Sequence, residues 1–317
     1  MAVKLFALLL ACLPLLAQAQ AYPTRPVRVI VPLAPGGTGD TLARMMSEEM
    51  GKILGQAFVV ENRAGSGGVI GTETAAKSPP DGYTLLLASP SHVINPALRP
   101  NAYDPVKDFE LITVVANTYQ LLVAHPGLPA NSIAELVAYA KRNPGRLNYG
   151  SAGSGSATHL NAELFKSMAG VFIVHIPYRG STPARQALLA GEVQLAVDGL
   201  LPVLPFLKTG RLKAMALCSS RRASIAPEIP TLDEAGIKGF ASDTWYGLAA
   251  PAGTPREVLA TLHAAAIKAL TDPQVRERLQ QQGAELVGNS PAEFRKLVDR
   301  EFALWTRVVK ETRAKVD

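Results

Sequence analysis

The chain has 317 residues, of which 48% are hydrophobic and 18% are charged, and it carries a formal net charge of +6. This composition excludes a disordered chain, and the length suits two α/β domains better than one small core. Because the basic residues are scattered and only 6% of residues are aromatic, nucleic-acid binding is not expected.

The N-terminus has the pattern of a secretory signal peptide. Residues 1–21 contain Lys4, an apolar run, and then small residues alternating with glutamine. Cleavage after Ala19 and cleavage after Ala21 fit equally well, and the LLAC sequence ending at Cys12 resembles a lipoprotein cleavage box. The apolar run is shorter than a membrane-spanning anchor requires. We therefore predict export to the periplasm and removal of residues 1–21.

Removal of Cys12 would leave Cys218 as the remaining cysteine, which excludes an internal disulfide in the mature chain. The flanking sequence AMALCSS is typical of a strand, so Cys218 is predicted to be a buried small hydrophobic residue rather than a nucleophile.

Beyond residue 21, short apolar runs alternate with segments of helical periodicity. The strand-like runs are VRVIVPL, AFVVEN, YTLLLAS, LLVAHP, LNYGS, VFIVHIPY, VQLAVDGL, LKAMALC and YGLAAPAG. Helical segments lie between and after them, and one has a capping box in which Ser132 precedes Glu135. The alternation predicts an α/β architecture with mainly parallel sheets and with ligands bound beyond the carboxyl ends of strands.

Two glycine-rich turns follow predicted strands and precede predicted helices. In APGGTGD, Pro35 ends the strand, and Gly36 and Gly37 allow close approach of a ligand, while Asp40 either caps the helix beginning at Thr41 or contacts the ligand. In YGSAGSGSATHL, serines and glycines offer hydroxyl and N–H donors at a helix start. The second turn is either a carboxylate cradle or a flexible surface loop.

A third glycine-rich run, ENRAGSGGVIGTE, is compatible with a turn that has no ligand, and alone it assigns no site. No complete nucleotide-binding, hydrolase or metal-binding motif occurs, and the histidines are isolated. His159 and Asp198 are the polar candidates outside the turns, and each is either a ligand contact or a structural residue. We therefore predict no catalytic residue, no metal and no cofactor.

Together these segments resemble a known family. The segments that carry the resemblance are YPTRPVRVIVPLAPGGTGD, VVENRAGSGGVIGTETAAKSPPDGYTLLLAS, NPAL, YDPVKDFELIT, YGSAGSGSATHLNAELF, IPYRGSTPARQALLAGEVQ, PEIPTLDEAG and TWYGLAAPAGTP. In this order, they make the chain similar to an extracytoplasmic solute receptor of the Bug type, the substrate-binding proteins related to tripartite tricarboxylate transporters. The resemblance covers nearly all of the mature chain.

The resemblance implies a periplasmic-binding-protein type II-like Venus flytrap, with two Rossmann-like α/β lobes joined by two crossovers. Lobe 1 would comprise residues 22–122 and 245–317, and lobe 2 would comprise residues 123–244. A small carboxylate would bind in the cleft between the lobes. The ligand-binding residues would be Leu33, Pro35, Gly36, Gly37, Thr38, Ser89, Ser91, Ser151, Gly153, Ser154, Gly155, Ser156, His159, Tyr178 and Asp198.

The closed receptor would be recognised by membrane permease subunits or by a sensor protein, and nothing demands more than a monomer. Leu33 stands where many relatives carry an aromatic residue, so the identity of the carboxylate does not transfer from the family. Two other functions stay open on the sequence. One is an exported enzyme acting on a small carboxylate through His159 and Asp198, and the other is a surface interaction protein without a small ligand.

Overall fold

The computed structural model of the protein describes residues 22–100, 102–281 and 283–312. The expected signal peptide, with Cys12, lies outside the described residues. The described residues form eleven strands, which are β1 Val27–Val31, β2 Phe58–Asn62, β3 Thr84–Ala88, β4 Phe109–Thr118, β5 Gln120–Ala124, β6 Asn148–Ser151, β7 Val174–Pro177, β8 Leu195–Gly199, β9 Lys213–Leu217, β10 Thr244–Pro251 and β11 Glu285–Leu286.

Ten α-helices accompany the strands in the described part of the chain. They are α1 Thr38–Leu54, α2 Val69–Ala76, α3 Ser91–Leu98, α4 Ile133–Arg142, α5 Ala157–Ala169, α6 Ser181–Ala190, α7 Leu200–Lys208, α8 Arg256–Thr271, α9 Pro273–Gln281 and α10 Pro291–Thr312, and a short 3₁₀ helix, Ser66–Gly68, precedes α2. The capping box is confirmed, because Ser132 Oγ accepts a hydrogen bond from the Glu135 N–H at 3.2 Å.

The strands form two sheets. The first has the order β11-β4-β10-β3-β1-β2, and the second has the order β7-β6-β8-β5-β9. Strand β1 is parallel to β2 and β3, and β6 is parallel to β7 and β8, but β10 and β5 are antiparallel to both of their neighbours. The sheets are therefore mixed, and the expectation of mainly parallel sheets was wrong. Strands β5 and β10 lie next to the two segments through which the chain passes from one sheet to the other.

The chain passes from the first sheet to the second within one residue. Strand β4 ends at Thr118 and β5 begins at Gln120, so Tyr119 is the first link between the sheets. The return lies between Leu217, which ends β9, and Thr244, which begins β10. Both passages adjoin the carboxyl ends of β4 and β8, so the cleft between the sheets is bounded by the linking segments.

Separate hydrophobic clusters support each sheet. On one face of the first sheet, Met46 and Met50 of α1 share a cluster with Leu262 of α8, and on the other face Trp245 packs edge-on against Phe294 of α10. In the second sheet, Phe165 and the fully buried Cys218 belong to a common cluster, so the prediction for Cys218 is confirmed. This division of the core leaves the polar residues between the sheets.

Candidate functional site

A cavity lies between the loops of the two sheets. It contains about 810 Å³ of space between atoms, including the solvent at its mouth. Its lining comprises Pro32, Leu33, Ala34, Gly37, Thr38, Gly39, Ala64, Gly65, Gly67, Gly68, Ser89, Pro90, Ser91, Thr118, Gln120, Ala152, Ser156, Ala157, Thr158, Gly180, Ser181, Thr182, Asp198, Gly199, Thr244 and Tyr246. Both sheets contribute, so the cavity has the position that the α/β pattern predicts for a ligand.

Helix N-termini converge on this cavity. Within the described residues, six α-helices place their N-cap residue in the lining, and these N-caps are Gly37 of α1, Gly68 of α2, Pro90 of α3, Ser156 of α5, Gly180 of α6 and Gly199 of α7. No side chain caps α1, α2, α3, α6 or α7. Because N–H groups and the positive ends of helix dipoles meet there, the site attracts an anion.

The cavity lining carries little side-chain charge. Among its described residues there is no lysine, arginine or histidine, and Asp198 is the ionisable carboxyl. The Arg185 guanidinium, on α6, donates to Asp198 at 2.6 Å, and the Gly199 N–H donates at 2.7 Å. Burial raises the pKa of Asp198, while Arg185 and Gly199 act in the opposite direction. The pair is buried and mutually neutralising, so an anion would be held by main-chain groups.

Residues Ser66–Gly68, in a loop of the first sheet, closely approach a loop of the second sheet. A Cβ atom built on Gly67 would lie 2.4 Å from the Ser154 carbonyl oxygen, and the Gly67 φ of +65° also favours glycine. Thr182 Oγ1 donates to the Pro35 carbonyl oxygen at 3.3 Å across the same gap. The third glycine-rich run therefore lines the cavity, through Ala64, Gly65, Gly67 and Gly68.

The structure brings seven of the fifteen candidate residues together in the lining, namely Leu33, Gly37, Thr38, Ser89, Ser91, Ser156 and Asp198. The other eight, namely Pro35, Gly36, Ser151, Gly153, Ser154, Gly155, His159 and Tyr178, lie outside it. Ligand contact by any of the seven stays a prediction.

The candidates around β6 and α5 are used within the protein. Ser151 Oγ is 2.6 Å from His175 Nε2, and the Gly155 N–H donates to His159 Nδ1 at 3.2 Å. The His159 ring stacks on His175 with 4.2 Å between centroids, and burial lowers the His159 pKa to about 4. His159 therefore lies behind the serine-rich turn and holds it.

Two further candidates outside the lining, Gly36 and Tyr178, make contacts within the protein. The Gly36 N–H donates to Asp40 Oδ2 at 3.0 Å, so Asp40 secures the first turn. It is not the helix cap that we expected, because α1 begins at Thr38 after Gly37. Tyr178 packs near Gly150, where a Cβ would lie 3.3 Å from the ring.

The lining residues nearest the passages between the sheets were not predicted from the sequence. They are Thr118, Gln120, Thr244 and Tyr246, together with Gly180–Thr182 at the start of α6. Strand β4 was not predicted, although FELIT was quoted, so Thr118 had no predicted place at a strand end, whereas Gln120 directly precedes the predicted run LLVAHP. A polar residue beside an apolar run was the signal available for Thr118 and Gln120.

Two negative findings concern the residues that the structure describes. They contain no group of three or more histidine, cysteine, aspartate or glutamate side chains able to hold a metal ion. No helix within residues 22–100, 102–281 and 283–312 is long and apolar enough to cross a membrane.

The fold and the cavity are those of a periplasmic-type solute-binding protein. Residues 42–313 match the family model TctC, described as the tripartite tricarboxylate transporter family receptor. The chain belongs to this family, which confirms the resemblance to Bug-type receptors and the expected two-lobed fold. It is 38% identical to Protein BugT of Bordetella pertussis over 301 residues, which cover 94% of this chain and 92% of that protein.

Two solved structures of similar proteins contain ligands. MatC from Rhodopseudomonas palustris, with bound malate, is 36% identical, with a TM-score of 0.87 over 91% of this chain and 100% of that one. An R. palustris protein solved with adipate is also 36% identical, with a TM-score of 0.88 over 93% of this chain and 100% of that one.

Proposed function

We propose that this protein is a periplasmic receptor that binds a small carboxylate between two lobes and delivers it to a membrane permease. The observation that carries the proposal is the convergence of six helix N-termini, five without side-chain caps, on a cavity whose described lining has no cationic side chain. A carboxylate would accept several N–H hydrogen bonds there, and exclusion of water would strengthen each of them.

The malate and adipate in the structures of two similar proteins support a small carboxylate as the ligand class. The lobes would be divided at the passages between the sheets, near the boundaries expected at residues 122 and 245. The ligand would favour the closed form because contacts from both sheets are complete only there.

Binding without chemical change is the second part of the proposal. Neither a histidine nor a cysteine is present among the described lining residues, so the lining serines have no histidine base within the lining, and Asp198 is already paired with Arg185. His159, on which the enzyme alternative relied, lies outside the lining. A monomer is sufficient, since one chain supplies both walls of the cavity.

Thermal unfolding tests the function directly. The mature chain, refolded to remove co-purified ligand, would be screened against small mono-, di- and tricarboxylates and their amides. A ligand at about 100 times its Kd adds about 2.7 kcal/mol of stability, so the midpoint should rise by at least about 2 °C. We expect shifts with particular carboxylates and none with the matching amides. Shifts that are equal for acid and amide would contradict an anion site.

Gly67→Ala is expected to weaken binding of the best carboxylate from that screen. The added Cβ would meet the backbone of the opposing loop at 2.4–2.9 Å, from Ser154 to Ser156, and only partial opening relieves this contact. Overpacking costs about 1–3 kcal/mol, so the affinity measured by calorimetry should fall by about fivefold to a hundredfold.

Gly55→Ala is the matched control for Gly67→Ala. Gly55 has a similar φ of +71°, but its Cβ would meet nothing within 4 Å. Both variants should lose similar stability through backbone strain, and Gly55→Ala should keep the original affinity. Equal affinities for the two variants would show that closure of this loop pair does not contribute to binding.

A further inference from the structure

The end of the cavity next to the passages between the sheets is lined by polar and aromatic side chains of β4, β5 and β10. Four residues, namely Thr118, Gln120, Thr244 and Tyr246, form this end, which we call the cleft floor. Thr244 pairs directly with Thr118 across β10 and β4, and Gln120 pairs with Gly199 across β5 and β8. Thr244 and Tyr246 are two residues apart in one strand and therefore face the same side.

A buried hydroxyl on the cleft floor has no partner. Thr244 is 2% exposed and lines the cavity, and its Oγ1 atom forms no hydrogen bond within the described residues. A buried polar group left unpaired costs free energy, and such groups in native proteins normally find a partner. The Thr244 hydroxyl is therefore available to a group of the ligand.

The charged side chains near the cleft floor restrict which ligand group can bind the Thr244 hydroxyl. Asp198 lies beside the floor, because it directly precedes Gly199, the partner of Gln120 across β8 and β5. Burial and the Asp198 charge both raise the pKa of Tyr246. Asp198 is already paired with Arg185, so a ligand ammonium group would meet no uncompensated negative charge. A second carboxylate at this end would meet no free cationic side chain in the described lining, and burying an unpaired charge is costly.

We propose that the cleft floor selects carboxylates that carry an uncharged hydroxyl group, through a hydrogen bond with Thr244. The hydroxyl accepts from or donates to Thr244 Oγ1, while the carboxylate lies at the helix N-termini. This inference rests on the proposed function and adds the substrate class. The similar proteins do not decide it, because malate has a hydroxyl group and adipate has none.

The test compares matched compounds on the wild-type mature chain by calorimetry. The sets are succinate, malate and aspartate; glutarate, 2-hydroxyglutarate and glutamate; and benzoate with 4-hydroxybenzoate, using both enantiomers where they exist. Within at least one set, the hydroxylated compound should bind about fivefold to thirtyfold tighter than its parent, as expected for one buried hydrogen bond. The amino compound should show no such gain.

Thr244→Val removes the hydroxyl at nearly constant volume. The ratio of hydroxylated to parent affinity should fall to about one, while the stability of the ligand-free protein should stay the same, because no protein hydrogen bond is lost. Thr113→Val is the control from the same pair of strands. Its hydroxyl donates to the Asn289 carbonyl oxygen at 2.8 Å, so this variant should lose stability and keep the ratio.

Two results would overturn the inference and leave the proposed function in place. They are a parent or amino compound that binds at least as tightly as its hydroxylated partner in every set that binds, and an affinity ratio that Thr244→Val leaves unchanged. Failure of every carboxylate, in these sets and in the thermal screen, would contradict the proposed function itself.

Discussion

Asp198→Ala is expected to lower the free energy of unfolding by about 3–5 kcal/mol, because it leaves a buried guanidinium without its counter-ion. Arg185 and Asp198 are 9% and 3% exposed, and their side chains meet at 2.6 Å. The Gly199 N–H would also lose its acceptor. Urea unfolding of the ligand-free mature chain, followed by circular dichroism, measures the change.

The double variant Arg185→Met with Asp198→Leu is the control for this result. It removes both charges and refills most of the volume, so it should be clearly more stable than Asp198→Ala, as replacements of buried ion pairs often are. A loss below about 1 kcal/mol for Asp198→Ala would mean that the pair behaves like a solvent-exposed one. In that case Asp198 would be free to act on the ligand.

Acidification is expected to destabilise the protein steeply through its buried histidines. Burial lowers the pKa values of His92 and His159 to about 4, from an ordinary value of 6.5. Between these pH values the unfolded chain binds protons that the folded chain does not, so stability is present above pH 6.5 and is lost as the pH falls towards 4. Each histidine contributes about 1.4 kcal/mol per pH unit, which is about 3 kcal/mol over this range for one histidine and about 7 kcal/mol for the two together.

His159→Asn isolates one of these contributions. Asparagine keeps an acceptor for the Gly155 N–H but has no titratable group, so its free energy of unfolding should decline less between pH 6.5 and pH 4 than that of the wild type. The nearby Glu163 and Lys166 affect the His159 pKa in opposite directions and remain in both proteins. Parallel pH curves for the two proteins, from urea unfolding at each pH, would show that His159 does not titrate in this range.

Much of the fold could be predicted because apolar runs and helix ends carry local signals. Nine strand-like runs each overlap a strand, and glycine follows α1, α5 and α6 at the point where each ends. The direction of β10 could not be predicted, because TWYGLAAP has the same apolar pattern in a parallel or an antiparallel position. Its place between β3 and β4 depends on contacts distant in sequence.

The candidate site was predictable where the chain concentrates unusual residues and unpredictable where it does not. The APGGTGD turn and Ser156 stood out because glycine and serine cluster before a helix. Gly155 and His159 stood out equally, yet they bind one another behind the turn. Thr244 gave no signal, since an isolated threonine at a strand start is common, and its role depends on a missing partner that only the three-dimensional arrangement reveals.

An anchor made of main-chain groups affects how receptors of this kind diverge. Substitution at a helix start changes a side chain but leaves the peptide N–H groups in place, so the anchor tolerates drift that would destroy a site built on arginine. The cleft floor consists of side chains and changes with single substitutions. Receptors encoded by duplicated genes could therefore acquire new ligands through a few substitutions in the cleft floor, while the main-chain groups that bind the carboxylate stay unchanged.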